Sequence, residues 1–178
     1  MATYRINVAG LERDLPICEV NEHLDIAGFV IIGDVEMTVH SASKLLEKCP
    51  DFDVILSAEA KGIPLAHEMA RQSGKPYIIC RKGAKLYMQD PVEVNVRSIT
   101  TAKVQTLFLD SSEGESMRGK KVLVVDDVIS TGESLIAIET LAAKFDADIV
   151  GRAAILAEGD AAKRDDIIFL QELPLFFK

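Results

Sequence analysis

Hydrophobic positions along this chain recur at two spacings that alternate, one suited to strands and one to helices. Ala27 to Ile32 is a short apolar run that predicts a strand. Glu36 to Lys48 follows with Met37, Ala42, Leu45 and Leu46 near helical spacing. The β-branched run Asp53 to Ser57 predicts a second strand ending in a turn of small residues. Ile63 to Arg71 then places Ile63, Ala66 and Ala70 on one helical face. Tyr77 to Cys80 is strand-like and runs straight into Arg81-Lys82-Gly83. Residues 83–110 differ in kind: Gly, Asp-Pro and alternating Val92, Val94 and Val96 predict an extended excursion or hairpin arm. Lys121 to Val125 is a nearly uninterrupted Val/Leu run, the pattern of a central parallel strand buried on both faces. Leu135, Ile138, Leu141, Ala142 and Phe145 line one side of a helix, and Asp148 to Ala157 and Ile167 to Leu170 predict two more strands. Strands alternating with helices, without repeat or linker, predict one α/β domain over 1–178 with a doubly wound, mainly parallel sheet.

Composition narrows the classes further. With 178 residues, 48% of them hydrophobic, and only 11 Gly and 6 Pro, the chain is neither disordered nor low in complexity. Its 20 Lys and Arg against 28 Asp and Glu give a net charge of −8. A surface this acidic repels phosphodiester backbones, so no nucleic-acid partner is expected, whereas a small anion in one locally basic cleft remains compatible. The longest charge-free apolar run, Ile26 to Gly33, falls far short of the ~20 residues that span a bilayer, and no membrane partner is expected. No apolar stretch of signal-peptide type follows Met1-Ala2-Thr3-Tyr4-Arg5. Cys18, Cys49 and Cys80 lie far apart and form no CxxC pair, which fits reduced thiols in a cytoplasmic protein.

In a doubly wound sheet ligands bind beyond the carboxyl ends of the strands. The run Val122 to Ser134 ends an apolar strand in Asp126 and Asp127, then turns through Ser130, Thr131, Gly132 and Glu133 to Ser134 and into a helix. Hydroxyls, a permissive glycine and a helix N-terminus suit a phosphate. The carboxylates suit sugar hydroxyls, or a divalent cation through water. Together they describe a site for a phosphorylated sugar. Ser-Thr-Gly also suits plain helix capping, but two adjacent carboxylates at a buried strand end repel one another unless a ligand or cation uses them. Ala58, Glu59, Ala60, Lys61 and Gly62 lie between a strand and a helix, either as an ordinary turn or as a tight loop whose amides face an anion. Arg81, Lys82 and Lys85 cluster cations in an acidic chain. Such a cluster is often a solvated face, but at a strand's carboxyl end anion binding is the better expectation.

Three look-alikes fail on inspection. Gly114 to Lys121 mimics a phosphate-binding loop of Walker type, but lacks its final Ser/Thr and precedes a strand instead of following one. His67-Glu68-Met69-Ala70-Arg71 has Arg where a zinc motif needs its second His. Lys121 to Asp127 resembles the opening of a receiver domain, with too little chain downstream for the rest of that fold. His23, His40 and His67 share no spacing with the cysteines and are expected to be structural or exposed.

Val124 to Ser134, VVDDVISTGES, closely resembles the phosphoribosyl pyrophosphate (PRPP) motif of the type I phosphoribosyltransferases. Glu59-Ala60-Lys61-Gly62 looks like the pyrophosphate loop of the purine enzymes, and Arg81, Lys82 and Lys85 resemble their next basic segment. The resemblance covers about residues 27–158 and is closest to the adenine and xanthine phosphoribosyltransferase group. It implies the type I fold with a small hood, here the N-terminal segment 1–26, and a mobile loop, here 86–106. It also implies transfer of a 5-phosphoribosyl group from PRPP to a purine base, with release of pyrophosphate and with Mg²⁺ as cofactor. Asp126 and Asp127 would hold the ribose hydroxyls directly or through the metal's waters, and Ser130 to Ser134 the 5′-phosphate. Ala58 to Gly62 would bind pyrophosphate. The basic residues that match Arg81, Lys82 and Lys85 come from a partner subunit in this group, which implies a homodimer. Ser130 stands where the hypoxanthine-guanine enzymes carry a third acidic residue. The loop Val96-Arg97-Ser98-Ile99-Thr100 is nearer the xanthine type, yet the Lys of that type falls on Glu158. Neither the general base nor the nucleobase follows from these residues. A PRPP- or nucleotide-sensing regulator on the same fold is the second class that fits.

Overall fold

The computed structural model describes residues 2–97 and 104–178. Its elements are β1 (Thr3–Val8), β2 (Leu11–Asn21), β3 (Leu24–Ala27), α1 (Val35–Leu46), β4 (Val54–Ala58), α2 (Ile63–Ser73), β5 (Tyr77–Cys80), β6 (Pro91–Arg97) and β7 (Val104–Asp110). They continue with α3 (Ser111–Glu115), β8 (Lys121–Ile129), α4 (Glu133–Ala143), β9 (Asp148–Glu158), β10 (Ile168–Leu173) and β11 (Leu175–Phe177), with a 3₁₀ turn at Gly159–Lys163.

The central sheet runs β10-β9-β8-β4-β5, and all of its pairings are parallel. β8 lies in the middle because its side chains are apolar on both faces. Leu123 and Val125 enter one core with Met37, Leu45, Leu65 and Met69 of α1 and α2. Val122 and Val124 enter the other with Leu135, Ile138 and Leu141 of α4. The five positions expected on one side of α4 are all buried, and Phe145 caps that row just beyond the helix. Helix ends follow local chemistry. Asp34 accepts the Met37 N–H at 3.1 Å to cap α1, and Gly74, at φ +71°, closes α2 in the left-handed conformation.

The arm expected over 83–110 is a two-stranded hairpin, β6 paired with β7 in antiparallel register from Pro91↔Asp110 to Arg97↔Val104. Val94, Leu107 and Leu109 of that hairpin bury against the α4 side of the sheet. Part of the expected mobile loop, residues 98–103 and with them Ser98, Ile99 and Thr100, lies outside the described residues.

Two expectations need correction. Ala27 to Ile32 is not a strand: β3 stops at Ala27, and residues 28–32 have no ladder partner. Phe29 and Ile31 point inward while Val30 and Ile32 are exposed, so the apolar pattern reflects one buried face without a neighbouring chain to pair with. β8 also runs four residues beyond Val125, so Asp126 and Asp127 sit inside the ladder, with Asp126 opposite Ala154 and Ile129 opposite Ala157 of β9. Segment 1–26, expected as a hood, is largely β1, β2 and β3, joined by β11 in a second, antiparallel sheet of order β1-β2-β3-β11. Arg13 ties this sheet to the α1 start by ion pairs to Asp34 at 2.7 Å and Glu36 at 2.9 Å.

Candidate functional site

The carboxyl ends of β4, β5, β8 and β9 bring together most residues singled out in the sequence. Asp127 is 3% exposed, and its backbone N–H donates to Asp126 Oδ1 at 2.8 Å. Lys61 Nζ approaches Asp127 Oδ2 to 3.2 Å, but no hydrogen bond reaches that oxygen, which is buried without a donor among the described residues. Burial first, and the Asp127 charge second, push the Asp126 carboxyl up to about 8. The two carboxyls therefore resist ionising together, and a cation or hydrogen-bond donor at the site would ease that conflict.

The turn after β8 leads to Gly132, at φ +81°, and α4 begins without any side-chain cap. The N-cap is thus a glycine, and among the described residues no hydroxyl of Ser130, Thr131 or Ser134 makes the capping bond. Ser134 Oγ instead accepts from Gln105 Nε2 of β7 at 3.1 Å. Only glycine suits position 132, because φ is positive and a Cβ there would stand 2.9 Å from Arg164 Nη1.

The loop Ala58 to Gly62 packs directly onto the acidic pair. A Cβ on Gly62 would lie 2.4 Å from Ser57 Oγ and 3.1 Å from Asp126 Oδ1. Glu59 turns toward the basic segment: its carboxylate accepts the Lys82 N–H at 3.0 Å and lies 3.5 Å from Arg81 and 3.6 Å from Lys85. That amide first, with both cations after it, holds Glu59 below the usual carboxylate range. Arg81 is fixed by two 2.8 Å backbone bonds to Phe108 of β7, and its Nε–H is a buried donor without an acceptor among the described residues. Lys82 reaches this group only through its backbone; its side chain is exposed. The basic segment is thus not simply a solvated face.

A pocket of about 600 Å³ opens between the hood and this edge, lined by Leu24, Ile26 and Leu175 on one side and Thr131, Glu158 and Arg164 on the other. Sequence reasoning did not assemble this pocket. The nearest signal was Glu158 at a strand end before Gly159, whose φ is +58° and whose Cβ position lies 2.8 Å from Leu175 Cδ1. No group of three or more metal-ligating side chains occurs among the described residues. A cation here would rest on two carboxylates and on a ligand's own oxygens, a part that fits Asp127 Oδ2, which makes no hydrogen bond among the described residues.

One edge of the parallel sheet thus carries two adjacent carboxyls, a helix N-terminus preceded by Gly132 and a cation-bearing loop. The family model described as the phosphoribosyl transferase domain matches residues 39–174. The hypoxanthine/guanine phosphoribosyltransferase of Methanothermus fervidus is 35% identical over 114 residues, 64% of this chain and 57% of that protein. The chain thus spans a little over half the length of that relative. The purine biosynthesis transcriptional repressor of Bacillus subtilis is 30% identical over 110 residues, 61% of this chain and 38% of the repressor. Among solved structures, adenine phosphoribosyltransferase from Thermoanaerobacter pseudethanolicus has the same fold, with a TM-score of 0.68 at 17% identity over 96% of this chain and 95% of that one. The chain belongs to the phosphoribosyl transferase domain family. The names of these relatives do not agree on a base: one sequence match is to a hypoxanthine/guanine enzyme, another to a repressor, and the structural match above is to an adenine enzyme.

Proposed function

We propose that this protein is a purine phosphoribosyltransferase of nucleotide salvage, joining a purine nitrogen to C1′ of PRPP as the bond from C1′ to pyrophosphate breaks. The observation that carries the reading is the pair of adjacent carboxyls, Asp126 partly buried and Asp127 buried, on the strand that leads through Gly132 into α4. In this reading the amides at the start of α4, with Ser130, Thr131 and Ser134, hold the 5′-phosphate. Asp126 and Asp127 accept the ribose hydroxyls. The loop 58–62 with Arg81, Lys82 and Lys85 receives the pyrophosphate, and the 600 Å³ pocket takes the base between apolar walls. Bound Mg²⁺, held through water on Asp126 and Asp127 and by pyrophosphate oxygens, would neutralise the leaving group's charge. Residues 86–106 would close over PRPP and keep water from the cationic C1′. A homodimer fits the large apolar side chains left exposed on this chain, among them Val30, Ile32, Val35 and Leu86. A cytoplasmic location fits the three free thiols.

The test is pyrophosphate release from PRPP and Mg²⁺ across adenine, guanine, hypoxanthine and xanthine. Release that depends on a base is the expected result. PRPP binding by calorimetry without release for any base would instead favour a PRPP- or nucleotide-sensing regulator, the second reading, which the match to the Bacillus repressor supports. An Asp126→Asn/Asp127→Asn double variant should keep its fold and lose PRPP binding. Unchanged affinity in that variant would remove the acid pair from the site.

A further inference from the structure

Three charged side chains line the 600 Å³ pocket, and two of them are already engaged. Arg164 donates to both oxygens of Asp166, at 2.8 and 2.7 Å. Asp160 is paired with Lys163 at 2.7 Å. Glu158 has neither a hydrogen bond nor an ion pair within 4.0 Å among the described residues. Lys61 acts on it only at longer range, against a burial that raises its pKa. It stands at the last position of β9, opposite Leu173, with Leu24, Ile26 and Leu175 forming the apolar remainder of the wall. Leu175 and Ile26 are direct cross-strand partners, so these two are held side by side, a surface suited to the face of a flat heterocycle.

We propose that Glu158 selects the base, favouring a purine with an exocyclic amino group over its oxo counterpart; this rests on the phosphoribosyltransferase reading above. An ionised carboxylate only accepts hydrogen bonds, an amino group on a purine donates them, and an oxo group only accepts. At position 6, adenine carries an amino group where hypoxanthine carries oxygen. At position 2, guanine carries an amino group where xanthine carries oxygen. A carboxylate that meets an amino group gains a charge-assisted bond. Facing the oxo oxygen itself, and not the ring N1–H beside it, in a half-buried pocket, it leaves its acceptors without a donor. Arg164, committed to Asp166, and Lys163, committed to Asp160, do not supply the cation that would reverse this preference.

Titration calorimetry of the intact protein with PRPP, AMP, GMP, IMP and XMP tests the assignment without requiring turnover. In at least one of the pairs AMP against IMP and GMP against XMP, the amino member should bind about tenfold tighter or more. The pair that discriminates tells which purine edge faces Glu158. Glu158→Leu should erase the difference, and Glu158→Lys should reverse it. If Glu158→Lys fails to fold, the isosteric Glu158→Gln should show the difference reduced, because an amide offers both donor and acceptor. PRPP binding with equal affinity within both pairs, an oxo member preferred by the wild type, or a preference that survives in Glu158→Leu would overturn the role of Glu158 alone. Failure to bind PRPP at all would overturn the phosphoribosyltransferase reading, and this one with it.

Discussion

Gly62→Ala adds one methyl group at the point where the loop Ala58 to Gly62 meets the acidic pair. Its backbone, at φ −71° and ψ −17°, suits alanine, so any effect is steric. The new carbon would lie 2.4 Å from Ser57 Oγ, with Asp126 Oδ1 at 3.1 Å and Asp126 Cα at 3.5 Å the next nearest atoms. Ser57 is fully buried, so its hydroxyl has little room to swing away. Overpacking of this kind costs about 1–3 kcal/mol. At ~2–4 °C per kcal/mol for a chain of this size, the melting temperature should fall by roughly 2–12 °C. The cause can be isolated, because Ser57 Oγ has no hydrogen-bond partner among the described residues. Ser57→Ala alone should therefore be neutral or slightly stabilising. Combined with Gly62→Ala it should recover most of the lost stability, a coupling between neighbours of about 1 kcal/mol or more. Gly83→Ala, where nothing lies within 4 Å of the added carbon, serves as the control and should melt with the wild type. Thermal denaturation of the four variants decides the matter. If the double variant is as unstable as Gly62→Ala, or if Gly83→Ala falls as far, the contact between loop and strand is not what makes residue 62 a glycine.

Three further outcomes follow from the same geometry. Because the Asp126 pKa is raised in the folded state, the native protein holds more protons than the unfolded chain between about pH 4 and about pH 8. Stability should fall as pH rises through that window, and Asp126→Asn should flatten the slope in melting experiments; an unchanged slope would place the effect elsewhere. Glu59→Gln keeps an acceptor for the Lys82 N–H but removes the charge beside Arg81 and Lys85, so pyrophosphate should bind more tightly by calorimetry. Weaker binding would mean that the carboxylate organises those cations and does not compete for them. Gly132→Ala meets both a positive φ and Arg164 Nη1 at 2.9 Å. It should cost roughly 1–3 kcal/mol and weaken binding of ribose 5-phosphate, and a variant that binds it as the wild type does would remove the turn from the phosphate site.

Legibility in the sequence tracks how local each signal is. β8 and α4 could be read directly, because a strand buried on both faces is a continuous apolar run and a helix packed on one side repeats its apolar positions. The hood could not be read as strands. β2 carries Glu12, Arg13, Asp14 and Pro16 and is exposed along much of its length, and its sheet is completed by β11 from the far end of the chain, where Leu175 pairs with Ile26. No window of sequence contains that pairing. The apolar run 27–32 misled for the converse reason: it has an inward face in Phe29 and Ile31 but no strand beside it. The same distinction divides the site. Its loops each follow one strand, so residue order was enough to find Asp126, Gly132 and Lys61. The 600 Å³ pocket is built from β3, β11, the turn after β8 and the end of β9 with the segment that follows it, which meet only in three dimensions, and so Glu158 stood out in the sequence only as a mismatch.

The charges at this edge explain how a chain of net −8 maintains a cationic cleft. Arg81 and Lys85 face Glu59, and Lys61 faces Asp127, so three of the four cations along this edge are met by a nearby carboxylate, while the Lys82 side chain is exposed. The arrangement avoids stranding like charges at one strand end. Yet it leaves specific groups short of hydrogen bonds among the described residues: the Arg81 Nε–H is buried without an acceptor, and Asp127 Oδ2 is buried without a hydrogen bond, facing only the Lys61 ion pair at 3.2 Å. An anion with its own cation supplies what both lack, since phosphate oxygens can accept from Arg81 while the cation or a sugar hydroxyl serves Asp127. Neither a bare anion nor a bare cation satisfies the two together. That asymmetry favours a metal-complexed sugar pyrophosphate over inorganic phosphate or a free nucleoside. It also implies that ligand binding here exchanges internal ion pairs for external ones without adding net charge, so its dependence on salt should be shallower than the count of basic residues alone would suggest.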